Sequence, residues 1–192
     1  MIAIIKYNAG NIKSVENAIK RAGFDCIVTD DKDKIKQADK VIFPGVGEAS
    51  SAMAYLKEHK LDILLKSLTQ PVLGICLGLQ LMCSHSEEGD TECLGIFDAK
   101  VKKFPPKDIV PQMGWNNLQN IKSEVLKGIC EEDDVYFVHS YYAELNKDTI
   151  ATCDYILPFS AAMQKGNFYA MQFHPEKSAS VGEKILKNFF EL

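Results

Sequence analysis

One stretch of the chain, PVLGICLGLQ at residues 71–80, places a cysteine between two glycines directly after an apolar run. With Ser exchanged for Cys, this is the G-x-S-x-G pattern of a sharp strand-to-helix turn that exposes its central side chain above a sheet. The flanking glycines suit such a turn because it leaves little room for Cβ atoms and can require positive φ. Cys76 is therefore a candidate nucleophile. A free cysteine is also often a small buried hydrophobe, so both interpretations stay open at this point.

A nucleophilic cysteine needs a base, and the base usually needs a third group that orients it. His59 and His85 lie in polar segments typical of the surface, and His139 lies inside an apolar strand pattern that favours a structural role. His174 ends the apolar run FYAMQF and is followed two residues later by Glu176. Residues i and i+2 of an extended segment point to the same side, so these two side chains are predicted to project together. A strand-end histidine with an unrelated surface glutamate is the alternative.

A glycine-containing loop, PGVGEAS at residues 44–50, follows the third predicted strand, at the edge where open α/β sheets bind ligands. It resembles a dinucleotide fingerprint, which we discount because the last glycine is replaced and the loop does not follow the first strand. Backbone N–H groups of Val46 or Gly47, together with that of Leu77, could bind an oxyanion. Gln80 lies one helical turn after the cysteine and could bind a polar substrate, although a solvent-facing glutamine is equally compatible with the sequence.

The pattern of apolar residues predicts the elements that position these groups. In the first half, short apolar runs such as IAIIK, DCIVTD and KVIFPGVG alternate with helical patterns, which predicts βαβ units. After about residue 90, strand patterns such as LGIFDAKVKKF predict antiparallel pairing, with a hairpin turn at residues 166–167. The chain ends in an amphipathic helix. We therefore predict one α/β domain over residues 1–192, with a mixed, mainly parallel central sheet flanked by helices and an antiparallel later portion.

The composition limits the classes of function. The chain has 192 residues, of which 46% are hydrophobic, and its net charge of −4 gives no electrostatic reason to expect nucleic acid or an anionic membrane as partner. Its apolar runs are too short for a membrane span or a signal peptide, so we expect a cytoplasmic protein. The six cysteines form no C-x-x-C pair and no phosphate-binding motif is present, so we predict neither a metal nor a cofactor.

Three motifs together, GICLGLQ, PGVG and FHPE, resemble those of the class I, triad-type glutamine amidotransferases. The segments YNAGNIKSV, QMGWN, YFVHSYY and FHPEKS extend the resemblance over nearly the whole chain and narrow it to the glutaminase subunits of imidazole glycerol phosphate synthases. The resemblance implies a flavodoxin-like fold and a Cys–His–Glu triad that hydrolyses L-glutamine. It also implies that the ammonia passes to a (β/α)₈-barrel cyclase subunit, in a heterodimer that serves histidine biosynthesis. One departure, GLQLM where GMQLL is more usual, touches no chemical group.

The resemblance also implies roles for individual residues. The catalytic triad is Cys76, His174 and Glu176, and the oxyanion donors are Val46 and Leu77. The ligands of the glutamine are Gly47, Gln80, Glu88 and the backbone of Ser140 and Tyr141. The residues near the synthase interface are Asn11, Trp115, Tyr136 and Lys177. Of these, the single tryptophan could equally be a core residue. In the family, the PGVG peptide can be turned away from the oxyanion until the partner is engaged.

Two other functions fit the same sequence. A paralogue that feeds ammonia to a different synthase, such as a sugar-modifying enzyme, would share the glutaminase site. A non-catalytic binding or regulatory subunit would keep the fold, but such a chain is expected to have lost at least one triad residue, and all three are present here.

Overall fold

The computed structural model describes residues 1–8 and 11–192, so Ala9 and Gly10 of the YNAGNIKSV motif lie outside the described residues. Strands and helices alternate in the first half, as predicted, and the apolar runs form strands that are buried on both faces. These elements are β1 (Ile2–Ile5), α1 (Ile12–Arg21), β2 (Cys26–Thr29), α2 (Lys32–Gln37), β3 (Lys40–Phe43), α3 (Ala49–Glu58), α4 (Leu61–Ser67), β4 (Val72–Ile75) and α5 (Leu77–Met82). The apolar pattern did not reveal α2, because Ile35 is the one residue that this short helix buries.

The second half is built mainly from strands. They are β5 (His85–Ser86), β6 (Thr91–Glu92), β7 (Lys100–Lys103), β8 (Gln112–Asn117), β9 (Asp134–His139), β10 (Tyr141–Ala143), β11 (Thr149–Tyr155), β12 (Leu157–Lys165) and β13 (Phe168–Met171). The chain closes with α6 (Ala179–Phe190), and short 3₁₀ turns occur at Glu124–Leu126 and Pro175–Lys177. The strand predicted over LGIFDAKVKKF is shorter than expected, since only its last part forms β7.

The central sheet has seven strands in the order β11-β12-β13-β4-β3-β1-β2. The five strands from β13 to β2 are parallel, whereas β11 and β12 form an antiparallel edge beside β13. This confirms the predicted mixed, mainly parallel sheet. The hairpin turn predicted at residues 166–167 is also confirmed, because it joins β12 to β13.

The pairing of β4 with β13 brings two distant parts of the chain together. In this parallel pair, Gly74 lies opposite Ala170, and Ile75 lies opposite Met171. Parallel neighbours end at the same edge of a sheet, which is where open α/β folds bind their ligands. The segments that follow β4 and β13 therefore start side by side.

Hydrophobic layers pack on both faces of the central sheet. Successive residues of a strand point to opposite faces. In β1, Ile2 and Ile4 accordingly join the cluster that contains α1 and α6, whereas Ala3 and Ile5 join the cluster that contains α3 and α4. The helices thus lie on both sides of the sheet, as predicted for an α/β fold.

Two smaller sheets complete the fold, one with the order β10-β7-β5-β6 and the other formed by β8 and β9. The β8–β9 pair contacts the segment after β13, since the N–H of His174 donates to the Tyr136 carbonyl at 2.9 Å. The apolar pattern predicted β7 and a single strand over VYFVHSYYAEL, which the structure divides into β9 and β10, but it did not predict β5, β6 or β8. It also did not predict that these strands separate from the central sheet, because alternation of side chains does not specify a strand's partner. Within the described ranges, no helix combines the length and apolar character that a membrane crossing requires.

Candidate active site

Cys76 occupies a strained turn between β4 and α5. Its backbone has φ 53° and ψ −107°, a conformation that side-chain-bearing residues rarely adopt and that persists only where packing enforces it. Gly78 lets α5 pack closely against the end of β3, because a Cβ at that position would lie 2.1 Å from the carbonyl oxygen of Phe43. The N–H of Cys76 donates to the Met171 carbonyl at 2.7 Å, which ties the turn to β13. Although the residue is only 7% exposed, it lines a cavity, as expected of a nucleophile at the end of a strand.

His174 and Glu176 contact each other beside this turn. The Nδ1 atom of His174 lies 2.8 Å from Oε1 of Glu176, and both side chains are almost completely buried. The predicted contact is present, but the predicted extended geometry is wrong, because Pro175–Lys177 form a 3₁₀ turn. The hydroxyl of Ser178 donates to the His174 carbonyl at 2.6 Å and helps to fix this turn.

The electrostatics of the site favour a charged His174. Burial lowers the pKa of this imidazole, but hydrogen bonds to Cys76 and Glu176, together with their charges, raise its pKa to about 10. A protonated imidazole stabilises a neighbouring thiolate, which is the nucleophilic form of cysteine. His139 shows the opposite behaviour, since burial, and to a smaller extent the charge of His174, lower its pKa to about 4.

A cavity of about 320 Å³ opens beside the sulfur, at the small end of the range for small-molecule sites. Its lining contains the candidate nucleophile and base together with every residue for which the sequence implied an oxyanion or substrate role. The lining residues are Val46, Gly47, Cys76, Leu77, Gln80, Glu88, Pro111, Val138, His139, Ser140, Tyr141, His174 and Lys177. Pro111, Val138 and His139 were not expected there.

Gln80 and Glu88 are held by hydrogen bonds within the cavity wall. Nε2 of Gln80 donates to the Tyr141 carbonyl at 3.0 Å and to Oε1 of Gln172 at 3.1 Å, and the residue is 5% exposed, so the solvent-facing alternative is wrong. Oε2 of Glu88 accepts from the Ala49 N–H at 2.8 Å, at the beginning of α3. Burial raises the pKa of this carboxyl group.

The structure does not assemble the two backbone donors that the sequence implied for an oxyanion. The N–H of Leu77 donates to the Gly45 carbonyl at 3.3 Å. In a planar trans peptide the carbonyl and the next N–H point in opposite directions. The Val46 N–H therefore points away from Leu77, and the peptide that joins Gly45 to Val46 is turned out of the site. In this conformation the Gly45 carbonyl oxygen contacts the Leu77 N–H, which the sequence resemblance assigned to an oxyanion.

Of the four residues expected at an interface, Lys177 lines the cavity. Nδ2 of Asn11 donates to Oε1 of Glu176 at 3.2 Å, and the residue is half-buried. Lys177 is exposed at the cavity wall. Trp115 is 53% exposed, which excludes the core alternative, and its ring packs edge-on against Tyr136 at 5.6 Å across the β8–β9 pair.

An exposed apolar surface follows from this pairing. Met113, two residues before Trp115 on the same side of β8, is 66% exposed. We call the side chains of Met113, Trp115 and Tyr136 the hairpin face. Clusters of exposed apolar side chains often mark interaction sites.

Sequence reasoning missed Gln172, which is fully buried and donates from Nε2 to the Cys76 sulfur at 3.7 Å. A signal was present, because this residue is the one amide side chain in the apolar run FYAMQF and lies two residues before His174. Elsewhere in residues 1–8 and 11–192, no group of three or more His, Cys, Asp or Glu side chains is placed to hold a metal ion.

Comparisons with known proteins relate the whole chain to one family. A family profile described as glutamine amidotransferase class-I matches residues 3–192. A Bacteroides fragilis protein named imidazole glycerol phosphate synthase subunit HisH is 59% identical to the chain and covers 100% of it, and the chain covers 99% of that protein. A Legionella pneumophila protein named imidazole glycerol phosphate synthase subunit HisH 2 is 47% identical to the chain, and the match covers 100% of the chain and 98% of that protein.

Solved structures with low sequence identity share the fold. The crystal structure of a glutamine amidotransferase is similar with a TM-score of 0.77 at 17% identity, over 100% of this chain and 98% of that one. The structure of PurLQS from Thermotoga maritima gives a TM-score of 0.72 at 14% identity, over 99% and 97% of the two chains. Both agree with the predicted α/β architecture.

Proposed function

The chain belongs to the class I glutamine amidotransferases, an enzyme family that hydrolyses glutamine, and we propose that it is the glutaminase subunit of an imidazole glycerol phosphate synthase. In this proposal residues 1–192 form one amidotransferase domain. It releases ammonia from L-glutamine and passes it to a cyclase subunit in histidine biosynthesis. The names of relatives that are 59% and 47% identical support the assignment. The observation that carries the chemistry is that a strained Cys76 turn and His174, which is paired with the buried Glu176, line the same cavity.

The proposed reaction is acyl transfer through a thioester. The Cys76 thiolate attacks the side-chain amide carbon, and the new S–C bond gives a tetrahedral intermediate. The C–N bond then breaks, and the departing nitrogen takes a proton from His174 to leave as ammonia. The imidazole next accepts a proton from water, which attacks the thioester and releases glutamate. Glu176 holds the imidazole in one orientation throughout these steps.

The environment of His174 suits it to act first as acid and then as base. Its pKa is raised in the free site because Cys76 and Glu176 both interact with the charged ring. Once the sulfur is bonded to carbon, the contribution of the sulfur charge is lost and the ring proton becomes easier to give away. The same imidazole therefore stabilises the thiolate before attack and protonates the leaving group afterwards.

The cavity offers ligands for both ends of glutamine. We assign the α-ammonium group to Glu88, and the α-carboxylate to the backbone of Ser140 and Tyr141. Because Nε2 of Gln80 is already engaged with Tyr141 and Gln172, its Oε1 atom is the part left to accept a hydrogen bond from the substrate. Gly47 also lines the cavity.

The turned peptide after Gly45 supports a site that is switched off until the partner binds. A flip of this peptide would free the Leu77 N–H and bring in the Val46 N–H as the second oxyanion donor. Loss of one such donor typically costs roughly 10²–10³-fold in rate, so its orientation is a sufficient switch. The flip changes the backbone torsions of Gly45 and Val46, and glycine tolerates the change easily.

The partner in this proposal is a (β/α)₈-barrel cyclase that docks on the hairpin face and on Lys177. The exposed aromatic and apolar side chains beside the cavity suit the centre of a protein interface, which is enriched in Trp, Tyr and Met. Docking next to the cavity would also let ammonia pass to the partner without mixing with bulk solvent.

An assay of glutamate release tests the proposal. The chain is assayed alone, and again with the cyclase of the same organism and the nucleotide ligand of that cyclase. We expect a rise of about 10²-fold or more on adding both. High activity of the isolated chain that the cyclase leaves unchanged would contradict the switch. Activation by a sugar-modifying synthase instead would support the paralogue, and no hydrolysis with any partner would support a non-catalytic role.

A further inference from the structure

The structure assigns a role to Gln172 in the site, because its side chain joins the nucleophile to the cavity wall. We propose that Gln172 is a positioning residue that donates an N–H to the Cys76 sulfur and fixes the amide of Gln80. Its Nε2 atom lies 3.7 Å from the sulfur, and its Oε1 atom accepts from Gln80 at 3.1 Å. This inference deepens the proposed glutaminase function and rests on it.

The backbone of Gln172 is anchored independently of its side chain. The residue follows β13 directly, and its N–H donates to the Ala161 carbonyl of β12 at 2.8 Å. Its side chain is completely buried, and burying an amide costs free energy unless each polar atom finds a partner. An apolar side chain would fill this space without that requirement. The amide is therefore explained by the two groups that it binds.

The orientation of this amide is determined by its neighbours. The Tyr141 carbonyl can only accept a hydrogen bond, so the atom of Gln80 that contacts it must be the nitrogen. The same nitrogen contacts Gln172, which must therefore present its oxygen there. This leaves the NH₂ group of Gln172 directed at the sulfur of Cys76. Turning over either amide would place two donors or two acceptors against each other.

An N–H donor beside sulfur has a chemical consequence. Hydrogen bonds to a charged acceptor are stronger than those to a neutral one, so the contact stabilises thiolate more than thiol. It also restricts rotation of the Cys76 side chain, which keeps the sulfur on the cavity side. Through Gln80, the same amide keeps Oε1 of Gln80 available to the substrate.

The test is the pH profile of alkylation at Cys76, measured with iodoacetamide and mass spectrometry of the peptide that contains this residue. In Gln172→Met, which keeps the side-chain length but removes the donor, we expect the midpoint to rise by about one pH unit. Gln164→Met is the matched control, because Gln164 lies on the neighbouring strand β12 and binds Ser123 and Tyr169 instead. The exposed Cys130 serves as an internal control in every sample. The other titratable groups that act on the sulfur, His174 and Tyr7, are the same in all variants.

A second variant, Gln172→Glu, covers the case in which Gln172→Met does not fold. Its carboxylate still accepts from Gln80 but gives no proton to the sulfur, so the midpoint is expected to rise at least as far. Unchanged midpoints in folded variants would overturn the role of Gln172.

Alkylation uses no glutamine, so its result stands apart from the proposed function, which fails separately if the wild-type complex does not hydrolyse glutamine. In an active complex, we expect Gln172→Met to lower kcat/KM by about tenfold, partly through KM, because Gln80 also loses its support.

Discussion

At the scale of single residues, the site combines an unfavourable backbone at Cys76 with unusual protonation at two histidines. Cys76 adopts φ 53° because the packing at Gly78 and the hydrogen bond to Met171 hold it there. Near it, interactions with Cys76 and Glu176 raise the pKa of His174, whereas burial lowers the pKa of His139. The two rings therefore play different parts, one chemical and one structural.

Replacement of Cys76 by serine tests the nucleophile. Serine preserves shape but not thiolate character, so we expect glutamine hydrolysis by the complex to fall by roughly 10⁴-fold or more, with little change in stability. The measurement is glutamate release together with thermal unfolding. Cys130→Ser is the matched control, since Cys130 is exposed and its thiol bonds Asp133 far from the cavity lining. Hydrolysis by Cys76→Ser at the level of the Cys130→Ser control would refute the assignment.

The lowered pKa of His139 predicts how the free energy of unfolding depends on pH. Its pKa is about 4 in the folded chain against 6.5 for the free side chain, because it is buried. Between these values the unfolded chain binds a proton that the folded chain does not, so stability falls as pH drops from about 6.5 to about 4. The loss is about 3 kcal/mol. Urea unfolding at several pH values gives the free energy of unfolding as a function of pH. This free energy should change less with pH in His139→Gln than in wild type. His85→Gln, at an exposed pair with Asp90, should keep the wild-type dependence. Identical slopes for His139→Gln and wild type would contradict this.

At the scale of elements, the proposed triad depends on two parallel strands and the turns that follow them. Strands β4 and β13 end together, α5 begins one residue after Cys76, and the 3₁₀ turn brings Glu176 back to His174. The close contact of Gly78 with the end of β3 sets the position of α5 relative to the sheet.

Gly78→Ala should therefore disrupt this arrangement. The added Cβ would meet the Phe43 carbonyl at 2.1 Å, and a backbone atom cannot move aside by rotation. We expect a loss of about 3 kcal/mol in the free energy of unfolding, at the upper end for overpacking, and a large loss of hydrolysis. Denaturant unfolding measures the first effect. A variant as stable as wild type would show that α5 can shift at little cost.

Local patterns predicted most of the longer elements, because alternating apolar residues and glycine-flanked turns are local signals. The structure also brings Cys76, His174 and the residues with implied substrate roles to one cavity. The local patterns could not predict the orientation of the peptide after Gly45, since both orientations suit the same residues. An extended segment and a 3₁₀ turn can both bring His174 and Glu176 together, so the sequence pattern does not distinguish the predicted extended segment from the turn at Pro175–Lys177. Gln172 was missed because its partners, Cys76 and Gln80, are far away in sequence.

At the scale of the whole molecule, the cavity and the hairpin face lie side by side. Val138 and His139 line the cavity and belong to β9, the strand that carries Tyr136. Lys177 also lines the cavity, and Asn11 binds Glu176. A partner that covers the hairpin face would both shield the cavity from solvent and contact the elements that carry the triad.

Trp115→Ala tests this arrangement. Trp115 is half exposed, so its removal should barely alter the stability or the basal hydrolysis of the isolated chain. We expect Trp115→Ala to weaken binding of the cyclase by tenfold or more, roughly the effect of losing one central aromatic contact. Titration calorimetry with the cyclase measures the affinity. Ile63→Ala is the control, because Ile63 is similarly exposed, at 62%, on α4 and should leave binding unchanged. Equal effects of the two variants would place the partner elsewhere.

The central claim is that Cys76 and His174 form the reacting pair, and covalent labelling by a diazoketone analogue of glutamine tests it most directly. The complex with the cyclase is treated with the analogue, and the adduct is located by peptide mass spectrometry in wild type and in His174→Ala. We predict one adduct, on Cys76, that excess L-glutamine prevents and that forms far more slowly in His174→Ala. No adduct on Cys76, or equal rates in the two proteins, would contradict the account.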